Sequence, residues 1–195
     1  QRIIFNGNGY AREWEEEAAR RGLPNIPSMV AAVDTLTTPK AIHLFEKFGI
    51  FTEAELRSRA EVLYETYAKT INIEALTMID MTKKKYIPTC IAYTKELCDA
   101  AAVKQSLDIC SCVEKELAEK VSSLTKAAYE ATEKLEAAVA AAAAKDDCVL
   151  SMAKSYREDV IPVMDDLRAA VDALEVITPS EKWPVPAYSD IIFNV

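Results

Sequence analysis

Glycine is scarce in this sequence: only 4 of its 195 residues are glycine, where an average usage of about 7% would give roughly 14. The last of them is Gly49, so the long remainder of the chain contains none. Phosphate-binding loops and the tight turns of β-hairpins depend on glycine, because it adopts positive φ freely and lets another backbone approach closely. The scarcity excludes such loops beyond residue 49 and favours long helices there.

A single histidine, His43, limits the metal and acid–base chemistry that the chain can support. A di-iron site in a helical bundle needs Glu-x-x-His motifs on two helices, and nucleophilic catalysis commonly needs a base beside the nucleophile. Nothing in the sequence pairs with His43, so we expect it to be a partly buried structural residue. We therefore predict no catalytic, cofactor-binding or metal-ligating residue in this chain.

Positive charges are outnumbered, with 23 lysine and arginine residues against 31 aspartate and glutamate residues and a net charge of −8. A basic surface is expected of a protein that binds nucleic acid, so we predict no nucleic-acid partner. The only dense basic run, Lys83, Lys84 and Lys85, is predicted to be the solvated face of a helix. Glu133 and Glu136 share a helix face, and we assign them to the charged surface as well.

The cysteines are Cys90, Cys98, Cys110, Cys112 and Cys148, an odd set without a C-x-x-C pair. We expect Cys110 and Cys112 to point to different sides of a helix, which excludes a zinc knuckle, and cysteines in general to be small buried residues. Unpaired thiols are typical of a reducing compartment, so we predict a cytoplasmic protein. The sequence has no apolar run of about 20 residues, and we predict no membrane span. Because it starts at Gln1 rather than methionine, we expect it to be a piece of a longer protein.

Residues 1–50 are predicted to form a connecting segment with short helices. Glutamates followed by arginines and Gly22 indicate a helix over residues 11–21. Ser28 is a candidate N-cap for a helix over residues 28–36. Thr38, followed by a proline, begins another helix that ends near Gly49.

Residues 51–178 are predicted to form a helical bundle. Thr52 and Glu55 make a capping box, in which each side chain satisfies a backbone N–H near the other residue. Apolar residues then recur every three or four positions over residues 56–78, 113–142 and 149–177. Pro88 predicts a kink or a split near residue 87, with helix resuming to about residue 103, and Pro162 predicts a kink after residue 161.

The predicted fold is therefore all-α: an antiparallel helical bundle of three or four long, partly kinked helices, preceded by short helices. Residues 179–195 are predicted to form an extended C-terminal tail. The tail carries Trp183 and Tyr188 on either side of Pro184 and Pro186, and such aromatic residues indicate that it packs against another surface.

Three blocks of the sequence carry a family resemblance. They are RIIFNGNGY at residues 2–10, TINIEALTMID at residues 70–80 and WPVPAYSDIIF at residues 183–193. The chain resembles, from end to end, the region that follows the catalytic domain of type III glutamine synthetases. Where the family commonly has serine after the first block, this sequence has Ala11, so the first helix loses a likely side-chain cap.

The resemblance implies a parent enzyme that ligates ammonia to glutamate with ATP and Mg²⁺ on a large ring-shaped homo-oligomer. The family's catalytic motifs belong to regions before this chain, so no catalytic residue is carried over. We expect a non-catalytic C-terminal helical region with a structural or subunit-contact role, which is inactive alone and has no cofactor of its own. Its expected partners are the catalytic domain of the same polypeptide and neighbouring subunits.

Two alternatives stay open from the sequence. The chain could be a free-standing helical protein-interaction module, although Pro88 and Pro162 interrupt the stripes that a long rod would need. The bundle could also carry a regulatory site for glutamine or a nucleotide, for which the only motive is the presence of Arg57, Arg59 and Lys69 on one helix.

Overall fold

The computed structural model describes residues 4–145 and 147–193; residues 1–3 and the last two residues of the predicted tail lie outside them. The described residues form helices and irregular segments but no strands, which confirms the all-α prediction. The chain divides into two compact units between Tyr64 and Glu65, inside its first long helix. The sequence placed the start of the bundle earlier, at residue 51. Within the described residues, no helix is both long and apolar enough to cross a membrane.

The N-terminal unit, up to Tyr64, contains short helices. Its helical segments are α1 (Arg12–Arg20), α2 (Met29–Asp34), a 3-10 turn (Thr35–Thr37), α3 (Pro39–Lys47) and the beginning of α4 (Glu53–Met81).

The predicted caps of α2, α3 and α4 are confirmed. Ser28 Oγ accepts the N–H of the third helical residue of α2, and Thr38 Oγ1 does the same for α3. Thr52 and Glu55 form the capping box of α4: Glu55 Oε2 accepts the Thr52 N–H at 2.8 Å, and Thr52 Oγ1 accepts the Glu55 N–H at 3.3 Å. Ala11, at the N-cap of α1, supplies no side-chain hydrogen bond.

The C-terminal unit, from Glu65 onward, contains the long helices. Its helical segments after α4 are a π-helical turn (Thr82–Tyr86), α5 (Ile87–Ser106), α6 (Cys112–Ala143), α7 (Val149–Ser155), a second π-helical turn (Tyr156–Val160), α8 (Ile161–Ile177) and α9 (Tyr188–Phe193).

Each proline inside a long helix follows a π-helical turn. Pro88 and Pro162 are the second residues of α5 and α8, which both begin directly after such a turn. A proline ring clashes with the carbonyl four residues earlier and removes one hydrogen-bond donor. The wider π turn makes room for the ring and places proline in a first helical turn, where no N–H is needed. The interruption predicted near Ile87 is present as the π-helical turn that ends at Tyr86, and the chain stays helical through it; the second interruption lies before Ile161 rather than after it.

The core of the C-terminal unit surrounds α6, which packs along both α5 and α8. Its largest fully buried aliphatic side chains are Val121, Leu135, Val160, Leu167 and Leu174. Small residues of α4 and α6, among them Ala75, Ala128 and Ala142, are fully buried in the same cluster. Burial of one large aliphatic side chain stabilises the folded state by roughly 1.5–3 kcal/mol, so this packing outweighs helix propensity.

The segment after α8 packs back onto the bundle, as its aromatic residues predict. Trp183 is only 6% exposed and stacks on Tyr86 with ring centroids 5.1 Å apart. Residues 188–193 differ from the predicted extended tail, because they form the helix α9. Asp190 accepts the N–H of Ala187 at 2.9 Å, which satisfies one of the free donors at the start of this short helix.

Candidate functional site

His43, the chain's only histidine, lies on α3 and is exposed to solvent. The prediction that it is partly buried is wrong, because the imidazole lies on the exposed side of α3, whereas Ile42 and Phe45 of the same helix are half-buried. Within residues 4–145 and 147–193, no three or more histidine, cysteine, aspartate or glutamate side chains are grouped where they could hold a metal ion.

The charged residues that stood out in the sequence form surface pairs. All three lysines of the basic run are exposed, as predicted, and Lys83 Nζ lies 2.6 Å from Glu136 Oε1. The Tyr129 hydroxyl donates a hydrogen bond to Glu133 Oε1 at 2.8 Å, and this contact raises the pKa of Tyr129. Glu133 and Glu136 are thus engaged with separate partners and do not act as a carboxylate pair.

The three cations on α4 that motivated a regulatory site also have local partners. Arg57 and Lys69 each form an ion pair of 2.6 Å with a glutamate one turn earlier on the helix. The Arg59 guanidinium carbon lies 4.3 Å from the ring centroid of Phe51, which is a cation–π contact. The structure therefore does not gather the three side chains into one anion-binding cluster.

The cysteines differ from the prediction in two respects. Cys90 is buried as expected, but Cys98 and Cys148 are exposed. Cys110 and Cys112 form a disulfide, because Cys110 lies in the irregular turn before α6 and not on a helix. Their Cα atoms are 5.8 Å apart, within the range that a disulfide can bridge.

The N-terminal unit contains a largely apolar concavity of about 460 Å³. Its apolar lining consists of Leu36, Phe45, Phe51, Leu56, Val62 and Leu63. Ser58 and Arg59 supply its polar edge. A concave apolar surface with one cation suits an apolar side chain or a small amphipathic group.

Local turn chemistry positions the aromatic wall of this concavity. Gly49 adopts a positive φ of 63° after α3, and the Ile50 N–H then bonds to the Phe45 carbonyl at 2.9 Å. This turn brings Phe51 back toward α3, with its ring centroid 5.7 Å from that of Phe45. The capping box at Thr52 then starts α4, which supplies the opposite wall.

A hydrogen bond between a tyrosine and a carboxylate joins α2 to α4 within the same unit. The buried Tyr64 hydroxyl donates to Asp34 Oδ1 at 2.5 Å. Burial, and then this hydrogen bond to a carboxylate, raise the pKa of Tyr64 well above its usual range. Tyr64 therefore stays neutral and fixes the end of α2, which carries the turn with Leu36, against α4.

A second concavity, of about 260 Å³, lies in the C-terminal unit beside the first π-helical turn. Met78, Met81 and Met164 contribute to its lining, with Arg168 and Asp172 among its polar residues. Arg168 Nε lies 3.5 Å from Asp172 Oδ2. Methionine side chains adapt to irregular apolar partners, so this surface also suits binding better than catalysis.

Sequence reasoning did not find the larger concavity. The available signal was the close spacing of Phe45, Phe48, Ile50 and Phe51 around Gly49, four large apolar residues at the end of a short helix. Helical periodicity alone does not show which of these side chains turn inward, because the direction of the chain changes at the glycine.

Comparisons with known proteins show the family to which the chain belongs. A family model described as the glutamine synthetase C-terminal domain matches residues 1–105. A glutamine synthetase of Butyrivibrio fibrisolvens is 36% identical over the whole of this chain, and the type-3 glutamine synthetase of Dictyostelium discoideum is 35% identical over 98% of it. A glutamine synthetase of Bacteroides fragilis is 30% identical over 98% of the chain. This chain spans only 27–28% of the length of these three relatives. The chain therefore belongs to the glutamine synthetase C-terminal domain family.

Proposed function

We propose that this chain is a non-catalytic helical region of a type III glutamine synthetase, where it makes structural contacts with the rest of the enzyme. The longer enzyme would ligate ammonia to glutamate and use ATP and Mg²⁺ outside this chain. Partners would be the catalytic domain of the same polypeptide and neighbouring subunits. The observation that carries the proposal is the apolar surface that the N-terminal unit leaves open.

The N-terminal unit buries few side chains of its own. Its buried hydrophobic residues are Ala18, Val30, Val33, Leu56, Ala60 and Tyr64, half of which are alanine or tyrosine. A segment of this size needs most of its large apolar residues in a core to be stable alone. Here much of that apolar surface stays in contact with solvent, which is typical of a segment that packs against a partner.

Three of the exposed large apolar residues of this unit lie close in sequence to the lining of its concavity. Leu44, Phe48 and Ile50 are 51%, 65% and 56% exposed, and they flank Phe45 and Phe51 in the chain. A partner that inserts an apolar side chain into the concavity would cover these residues as well. We assign the rest of the enzyme as this partner. In the relatives, the chain outside this region is more than twice as long as the region itself.

The test replaces one wall residue in the full-length enzyme. Val62 lines the concavity on α4 and is 56% exposed, so Val62→Asp introduces a charge there without entering the core. The matched control is Val176→Asp on α8, where valine is 84% exposed and lines none of the concavities described above. We expect V62D to lose assembled enzyme by size-exclusion chromatography and glutamine synthesis together, and V176D to retain both.

Two results would contradict the proposal. Equal assembly and activity of V62D and V176D would show that the concavity makes no required contact. Glutamine synthesis by the isolated 195-residue chain would show that the region is catalytic.

A further inference from the structure

The disulfide between Cys110 and Cys112 lies at the turn that joins α5 to α6. Cys112 is the first residue of the 32-residue helix α6, and Cys110 is two positions earlier in the irregular turn. Both cysteines are exposed, while Ser111 between them is buried. An attacking thiolate from solution can therefore reach either sulfur atom of the bond.

The position of this bond does not suit a structural role. A disulfide stabilises a fold mainly by restricting the unfolded chain, and the effect grows with the length of the closed loop. This one joins residues only two apart, so it restricts the unfolded chain very little. The long helices on both sides are held by the buried core around α6 instead.

The start of α6 places Cys112 beside backbone groups that favour an anion. The first N–H groups of a helix have no partner within the helix and carry partial positive charge. Ser111, at the N-cap, provides no side-chain hydrogen bond to them. Glu114, in the first turn, accepts a hydrogen bond from its own backbone N–H and forms an ion pair with Lys104, which offsets its negative charge. A thiolate on Cys112 thus lies where the helix favours an anion.

We propose that Cys110 and Cys112 form a redox-active dithiol–disulfide pair that exchanges with low-molecular-weight thiols such as glutathione. In the reductive direction, a glutathione thiolate attacks the Cys110 sulfur, a new S–S bond forms, and Cys112 leaves as a thiolate at the helix N-terminus. A second glutathione thiolate then attacks the glutathione sulfur of this mixed disulfide. Cys110 leaves as a thiolate, and both cysteines take up protons. Two glutathione molecules are thereby oxidised to glutathione disulfide, and the protein disulfide is reduced to two thiols.

The other three cysteines form no disulfide with Cys110 or Cys112 in the structure. Cys90 is fully buried, and Cys98 and Cys148 are exposed free thiols on other segments. This inference does not depend on the proposed function, because it concerns chemistry at the α5–α6 turn and not a contact with the catalytic domain. The double variant C98S/C148S leaves Cys110 and Cys112 as the only exposed cysteines.

The experiment equilibrates the full chain carrying C98S/C148S with glutathione and glutathione disulfide, and then counts free thiols by alkylation and mass spectrometry. We expect the native protein to lose two alkylatable thiols on oxidation, without accumulating a glutathione adduct. A tenfold rise in glutathione at fixed glutathione disulfide should lower the oxidised-to-reduced ratio about a hundredfold, because closing the pair releases two glutathione molecules.

A trapping variant tests the order of the steps. Adding Cys112→Ser to the same background removes the thiol that resolves the mixed disulfide, so one glutathione per chain should accumulate on Cys110. In this variant, the ratio of adduct to free Cys110 thiol should fall only about tenfold when glutathione rises tenfold at fixed glutathione disulfide. Two glutathione adducts per chain in the C98S/C148S protein would overturn the proposal, since they would show independent thiols. A bond that excess glutathione does not reduce in the folded protein would also overturn it.

Discussion

Replacement of Trp183 tests how the segment after α8 is held on the bundle. Trp183 is 6% exposed and stacks on Tyr86, with ring centroids 5.1 Å apart. Its Nε1 atom is buried and has no acceptor within the part of the chain that the structure describes. The side chain therefore contributes apolar burial and stacking, but no hydrogen bond. Trp183→Ala should lose the first two contributions, whereas Trp183→Phe should keep most of both.

The expected magnitudes follow from these contacts. A buried aromatic side chain removes roughly 150–250 Å² from water, which corresponds to about 4–6 kcal/mol at 25 cal/mol per Å². This is an upper value, because alanine retains some burial and the unfolded chain is partly compact, so we expect Trp183→Ala to cost about 3–5 kcal/mol. In Trp183→Phe, the smaller ring costs about 1–2 kcal/mol, and removing an unpaired buried donor returns about 1–3 kcal/mol. The net change should therefore lie between about 1 kcal/mol of destabilisation and about 2 kcal/mol of stabilisation.

The assay is urea unfolding followed by far-ultraviolet circular dichroism, which reports helix loss without relying on tryptophan fluorescence. A double-mutant cycle with Tyr86→Leu should give a coupling of about 0.5–1.5 kcal/mol for the stacked pair. The reasoning is refuted if Trp183→Phe destabilises the protein as much as Trp183→Ala does. Such a result would mean that the indole N–H makes a hydrogen bond that the protein needs.

Two further predictions concern the N-terminal unit. Thr52→Ala removes the hydroxyl that accepts the Glu55 N–H, and we expect it to cost about 1 kcal/mol in thermal or urea unfolding; an unchanged midpoint would contradict a contribution from this cap. Hydrogen bonds from Arg20 and then Arg21 lower the pKa of Glu17 from 4.5 to about 2. The stability contributed by its charged form is thus fully present above pH 4.5 and is lost as the pH falls toward 2. The stability difference between wild type and Glu17→Gln should shrink over that interval in acid titrations of unfolding, and a pH-independent difference would disprove the assignment.

The helix ends could be predicted from the sequence because they depend on neighbours within about four residues. Ser28, Thr38 and Thr52 each cap a helix as predicted, since a cap needs only a short polar side chain and the N–H groups that follow it. Pro88 and Pro162 likewise mark interruptions, because a proline ring disturbs the helix in any tertiary context. The form of the interruption, a π-helical turn placed before each proline, was not predicted.

The candidate surfaces could not be predicted, because they depend on residues that are far apart in the chain or on a change of chain direction. His43 illustrates the first difficulty: its exposure depends on which face of α3 meets the rest of the unit, and helical periodicity over so short a helix does not show that face. Cys110 and Cys112 illustrate the second. Their helical assignment kept the two sulfur atoms apart, whereas the start of α6 at Cys112 leaves Cys110 in a turn that brings them together.

The sequence by itself determined that this chain is all-α, that long helices dominate the glycine-free part after Gly49, and that Ser28, Thr38 and Thr52 cap their helices. These properties follow from composition and from interactions between near neighbours. Only the tertiary structure decided which apolar residues form the concavity at Phe45 and Phe51, that Trp183 stacks on Tyr86, and that the division between units falls inside α4. Such contacts depend on how helices pack, and many packings satisfy the same helical periodicity.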